Sequence, residues 1–201
     1  MRLNSYLEQL LGSRASVRIL RTLFKYKGMV FTVRRLAETA NVSHTEANQT
    51  IDKLEKFGVV KVQPVGKAYQ ISLNEKSYIL ANVLSPIFST ESRTRQALVT
   101  LLKETLSRKK IISAAIFGSV AAGKERDDSD IDLVVISNDK DLAYSVVGNA
   151  ITQVSEIFHG KLAPIVFSKK EFIDRKQSDL VKSILGSHIM VAGTDLKEII
   201  K

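Results

Sequence analysis

The 201-residue chain contains no cysteine, no tryptophan, three prolines and three histidines. Without cysteine there are no disulfides and no thiolate metal sites. His44, His159 and His188 lie far apart in sequence and give no zinc spacing. No apolar run approaches the ~20 residues of a membrane-spanning helix. The opening stretch "MRLNSYLEQLLGSRAS" lacks the apolar segment and small-residue cleavage site of a secretory signal. These absences set the expectation of a soluble, cytoplasmic protein with no membrane partner. Repeats and low-complexity tracts are missing too.

What is present is enough to fold. Apolar residues make up 44% of the chain, and its length allows one large domain or two small ones. The net charge of +9 is unevenly placed. Residues 1–74 carry 12 Lys/Arg against 5 Asp/Glu, whereas residues 75–201 carry 18 against 16. Concentrated positive charge points to an anionic partner, nucleic acid being the commonest; a merely basic, solvated surface is the alternative.

"SRASVRILRTLFKYKG" reads as an amphipathic helix with Val17, Leu20, Leu23 and Phe24 on one side, stopping near Gly28. Thr32 is placed to cap a short helix holding Leu36, Ala37 and Ala40. Ser43, with Glu46 three residues on, forms a capping box for a second helix that buries Ala47, Ile51 and Leu54 and ends near Gly58. "VVKVQ" and "AYQISL", joined by "PVGK", alternate as a hairpin with Gly66 in the turn.

That order of helix, helix, turn, helix and hairpin resembles the winged helix-turn-helix regulators of bacteria and archaea over roughly residues 10–74. The resemblance implies double-stranded DNA as partner, with the second helix of the pair in the major groove. His44, Thr45, Asn48 and Gln49 would face base edges, Asn and Gln being suited to adenine. Lys53 would lie further along, and Lys61 and Lys67 on the wing near phosphates. It also implies a homodimer reading two half-sites. Use of the module for protein contacts alone stays open.

Residues 75–92 read as a helical linker, with one short helix ending at Pro86 and a longer one from about Thr90 burying Ala97, Leu98, Leu101 and Leu102. From Lys110 the pattern turns α/β. "IISAAIF", "IDLVVIS", "LAPIVFS" and "HIMVAG" are strands; "DLAYSVVGNAITQVSEIF", "SDLVKSILGS" and "TDLKEIIK" are helices. The expected fold is a two-domain α+β chain. A winged helix occupies residues 1–74, a linker 75–92, and an α/β domain with a mixed sheet 93–201.

Chemistry concentrates in "GSVAAGKERDDSDIDLVV", residues 118–135. A glycine after a strand lets backbone approach a ligand, and N–H groups at a following helix start can face a phosphate. Asp130 and Asp132 share one face of a strand, roughly 6–7 Å apart. Two carboxylates so close repel unless a cation or water screens them. Magnesium takes a few carboxylates, retained waters and substrate phosphates. The residues therefore read as a Mg²⁺-nucleotide site, with a charged, solvated turn as the bland alternative.

The same stretch resembles the polymerase-β-type nucleotidyltransferases, in particular their minimal members, whose usual form reads G-S-x-A-R-G-x-x-x-x-x-S-D-I-D-L. The ending "LVKSILGSHIMVAG" is similar to the family's tail, and the resemblance spans about residues 93–193. It implies a nucleoside triphosphate held by Gly118 and Ser119, with Lys124 and Ser129 beside it. It also implies Mg²⁺ or Mn²⁺ on Asp130 and Asp132 as the catalytic pair. Two metals would clamp the attacking and leaving oxygens during transfer of a nucleotidyl group.

Two departures stand out. The motif's arginine is Ala122, for which Lys124 or Arg126 are candidate substitutes. The third carboxylate of catalytic relatives has no counterpart in "KLAPIVFS"; Glu171 and Asp174 follow it and fit the position poorly. Three readings result. One is a nucleotidyl-transferring enzyme recruited by a DNA-binding module. Another is a transcriptional regulator whose second domain is a catalytically degenerate nucleotide sensor or dimerisation unit. The last is a partner-binding protein of the toxin–antitoxin kind.

Overall fold

The computed structural model describes residues 5–66, 68–108, 110–126 and 128–201. Two compact units emerge, Met1–Arg93 and Thr94–Lys201.

The first unit opens with α1 (Leu7–Leu11) and α2 (Arg14–Lys25), the latter capped by Ser13. A two-residue strand β1 (Phe31–Thr32) leads into α3 (Val33–Ala40), where the Thr32 side chain accepts from Arg35 N–H. Asn41 then turns the chain in the left-handed region, φ 52°. α4 (His44–Lys56) starts on the expected capping box, with Ser43 accepting from Glu46 N–H and the Glu46 carboxylate accepting from Ser43 N–H. β2 (Val60–Val65) and β3 (Ala68–Leu73) pair antiparallel, and β1 adds to β3, giving the order β1-β3-β2. Leu20, Leu36, Ala47, Leu54 and Ile71 are fully sequestered at the centre of the core. This is a winged helix-turn-helix.

The segment 75–92 departs from the expected linker. Leu80, Leu84 and Phe88 belong to the first unit's core, and Phe88 stacks on Phe24 with ring centroids 4.9 Å apart. Arg21 also clasps Glu91 with two hydrogen bonds, 2.8 and 2.6 Å. Nor does Pro86 end a helix. A π-helical turn (Leu80–Leu84) runs directly into α5 (Ser85–Leu106). Ser85 N–H reaches back to Leu80 O, so the ladder changes register where Pro86 has no N–H to give. The boundary between units falls within α5. Ala97, expected in the core, is exposed; Leu98 and Leu102 carry the contact.

In the second unit β4 (Ile111–Phe117) leads into a five-residue helix, α6 (Gly118–Ala122), closed by Gly123 at φ 66°. β5 (Ile131–Ser137) follows, then α7 (Lys140–Phe158), β6 (Leu162–Phe167), α8 (Lys169–Asp174), α9 (Asp179–Gly186), β7 (His188–Gly193) and α10 (Leu196–Ile199). The sheet order is β6-β5-β4-β7, with β5–β6 parallel and the rest antiparallel. α7 supplies the crossover that a parallel pair needs. Each face of the sheet buries its own core. Ile131, Leu133 and Val135 face α5 and α7; Val134 and Ile136 face Phe172, Val181, Ile184 and Leu196. Both faces being covered explains why β5 reads as a continuous apolar run.

Among the described residues no helix is long and apolar enough to cross a membrane.

Glu171 closes a capping box with Ser168 and pairs with Lys140 at 2.8 Å. Lys140 first, then Ser168, lowers its pKa from 4.5 to about 2. A depressed carboxylate stabilises the fold above its unfolded pKa and loses that contribution as pH falls through the folded value. Circular-dichroism melts should therefore show Tm falling between about pH 4.5 and about 2, with Glu171→Gln falling less over that window.

Candidate functional site

The β4–β5 pairing builds the centre of the second unit's candidate site. Phe117 lies opposite Asp132, so the residue after Phe117 passes beneath the Asp132 carboxylate. That residue is Gly118, at φ 71°. A Cβ there would stand 2.1 Å from Asp132 Oδ2, so no other residue fits without moving the carboxylate. The following α6 is short because Gly123 turns left-handed, and Ser119 O accepts from Lys124 N–H at 2.9 Å.

Asp130 and Asp132 share the sheet face that carries Val134 and Ile136. Both are half-buried. Burial, then the nearby charge of Asp130, pushes the Asp132 carboxyl above its ordinary pKa. Asp130 has a partner of its own: Lys161 Nζ sits 3.0 Å from its Oδ2. Ser129 Oγ accepts from Arg126 N–H at 2.8 Å, shaping the approach to the strand. Lys124 and Arg126 are exposed.

β6 runs parallel to β5 with Ala163 in register with Asp132 and Pro164 with Leu133. Ala163 therefore faces the aspartate pair from the neighbouring strand, and Lys161 stands beside Asp130. Glu171 is committed to its capping box, and Asp174 is exposed at the end of α8. Among the described residues, no three His, Cys, Asp or Glu are grouped to hold a metal. Two carboxylates with open coordination fit one hard dication that also takes phosphate oxygens and waters; they do not furnish a ligand set for two.

Three residues escaped the sequence reading. Lys161 lay inside a strand searched only for acids. Arg95 of α5 pairs with Glu125 at 3.1 Å, and its Nη2 lies 3.7 Å from where a Gly123 Cβ would be. It brings a guanidinium to the turn where the motif's arginine is replaced by Ala122. His188 is opposite Phe117, in the cross-strand row of Asp132 and Ala163, with Nδ1 2.9 Å from Ile184 O.

In the first unit, His44, Thr45, Gln49 and Lys53 lie exposed along α4, and Lys61 is exposed on β2. Asn48 is half-buried, and its Nδ2 meets His44 Nδ1 at 3.0 Å, so these two side chains form one unit. Lys67 lies outside the described residues. Arg18, on α2, donates to Asn41 O at 2.9 Å and braces the turn between α3 and α4.

The chain thus joins a winged helix-turn-helix to an α/β unit with a nucleotidyltransferase-like sheet. Its residues 101–195 match the model of the family described as polymerase beta, nucleotidyltransferase. No curated protein matches the chain. Solved structures similar to parts of it include reduced HlyU from Vibrio cholerae N16961, at 15% identity over 44% of this chain and 83% of that one, TM-score 0.35. A MarR family transcriptional regulator from Silicibacter pomeroyi is similar at 22% identity over 52% and 76%, TM-score 0.34. A toxin-antitoxin solved with AMP-PNP is similar at 16% identity over 53% and 80%, TM-score 0.38.

Two glycines in the same unit separate close approach from mere flexibility. Gly118→Ala should cost about 1–3 kcal/mol, from positive φ and displacement of Asp132. Gly148, inside α7 with nothing within 4 Å of its Cβ position, should gain about 1 kcal/mol as Gly148→Ala. Urea titrations of both variants measure the two signs.

Proposed function

We propose that this protein is a DNA-binding regulator whose nucleotidyltransferase-like unit binds a nucleoside triphosphate with one Mg²⁺ or Mn²⁺. The observation that carries this reading is the Asp132 carboxylate poised over Gly118 with Asp130 beside it. Gly118 and Ser119 would admit the phosphates, Lys124 and Ser129 would flank them, and Asp130 and Asp132 would hold the dication. When bound, the cation neutralises phosphate charge and orients the nucleotide.

Nucleotidyl transfer is the less favoured reading. It needs a base for the acceptor hydroxyl, and β6 offers Ala163 and Lys161 where a carboxylate would face the pair. Asp130 and Asp132 are the proposed ligands of the dication, which leaves neither free to take the proton of an alcohol. A nucleotide-responsive regulator asks only for binding. In the first unit Thr45, Gln49 and the His44–Asn48 pair would face base edges, with Lys53 and Lys61 near phosphates. A homodimer would offer two such helices to successive half-sites.

Calorimetry of ATP, GTP, CTP and UTP with Mg²⁺ tests the nucleotide half. Binding by the wild type and its loss in Asp130→Asn/Asp132→Asn is expected; equal binding by both proteins places the nucleotide elsewhere. Fluorescence anisotropy on a mixed-sequence duplex tests the other half. Lys53→Ala/Lys61→Ala should weaken duplex binding about thirtyfold, since two lost phosphate contacts at about 1 kcal/mol each amount to about 2 kcal/mol.

A further inference from the structure

The cation arrangement around Asp130 carries one step more. Asp130, Asp132, Lys161 and Ala163 form a two-by-two grid on one face of β5 and β6. The backbone sets this grid. Ile131 N–H donates to Lys161 O at 2.8 Å, and the parallel ladder then runs Ile131–Leu162 and Asp132–Ala163. Ile131 and Leu162 both enter the core on the opposite face, so Lys161 and Ala163 are held to the aspartate side. His159, left-handed at φ 51°, and Gly160 deliver the chain to this register. The ion pair is thus fixed at its Cα positions, even though the ammonium end is solvated, the Lys161 side chain being 79% exposed.

We propose that Lys161 takes the place of a second cation. The unit binds a nucleoside triphosphate with a single dication on Asp132 and the open oxygens of Asp130, and the Lys161 ammonium supplies the remaining positive charge, shared between Asp130 and a phosphate. The proposal rests on the nucleotide reading of this face. Its ground is charge. Two aspartates supply few protein ligands for two dications, and Lys161 lowers the negative charge of the pair further. A triphosphate brings about four negative charges, which a dication and an ammonium together relieve better than a dication alone. An ammonium donates in three directions, so it can keep Asp130 while turning to a phosphate oxygen. It needs no metal to do so.

Two consequences separate Lys161 from a bystander. It competes with a dication for Asp130 when nucleotide is absent, and it sustains part of nucleotide binding when the dication is absent. The test uses the full chain as wild type, Lys161→Met, Lys161→Arg and Asp132→Asn. Mn²⁺ binding is followed by electron paramagnetic resonance without nucleotide; ATP binding is followed by calorimetry with Mg²⁺ and with EDTA. Expected results are one Mn²⁺ per chain, bound about tenfold more tightly by Lys161→Met. ATP binding should persist in EDTA for wild type and Lys161→Arg and be lost in Lys161→Met. If Lys161→Met leaves Mn²⁺ affinity and EDTA binding unchanged while Asp132→Asn abolishes Mg²⁺-ATP binding, this inference is overturned and the nucleotide site stands. If the wild type binds no nucleotide with or without metal, both fall together.

Discussion

The pairing of β4 with β5 is the constraint on which the second unit turns. Both strands are buried along almost their whole length, so their register is fixed by two cores at once. A slip of one residue would drive Ile131, Leu133 and Val135 out of one core and Val134 and Ile136 out of the other. That register sets Phe117 opposite Asp132 and brings Gly118 beneath the carboxylate. The position of the candidate site is therefore a by-product of core packing, and only a glycine lets the chain leave β4 there.

Around that fixed point stand charges of both signs. An acidic row on β6 would demand cations; a methyl and an ammonium do not. Asp130 is already partly neutralised by Lys161, and Arg95 with Glu125 secures the turn after α6. On the proposed reading, such a pocket would bind polyphosphate without a carboxylate on β6 to activate an attacking hydroxyl. Regulation by occupancy, as proposed, would require the nucleotide to bind one state of the chain more tightly than another.

Much of this was legible in the residues. Ser43 with Glu46, Thr32 and Gly66 announced the first unit, since caps and turns are local chemistry. β4 and β5 were legible because burial on both faces makes them near-continuous apolar runs, and β6 and β7 because they are short apolar stretches between helices. The G-S and D-x-D residues were visible as chemistry waiting to be brought together. Long-range facts were hidden. Pro86 read as a stop because the π turn that accommodates it has no signal of its own. Leu80, Leu84 and Phe88 read as a linker because they join a core built by earlier elements, Phe24 under Phe88 lying more than sixty residues back. Lys161 was passed over because its meaning depends on the register between β5 and β6.

The arginines of the first unit are less available than their number implies. Arg21 is held by Glu91, Lys27 by Glu75, Arg34 by Glu38, and Arg18 by the carbonyl of Asn41. These are exposed surface contacts that occupy the four cationic groups in the free protein. A duplex resting on it would displace counterions mainly through Lys53, Lys56 and Lys61 along α4 and β2. The slope of affinity against salt would then report a handful of phosphate contacts, well short of the twelve Lys and Arg of residues 1–74. Part of the basic character of this half is thus engaged in its own surface pairs, and ionic strength would act on those pairs and on the grip through different side chains.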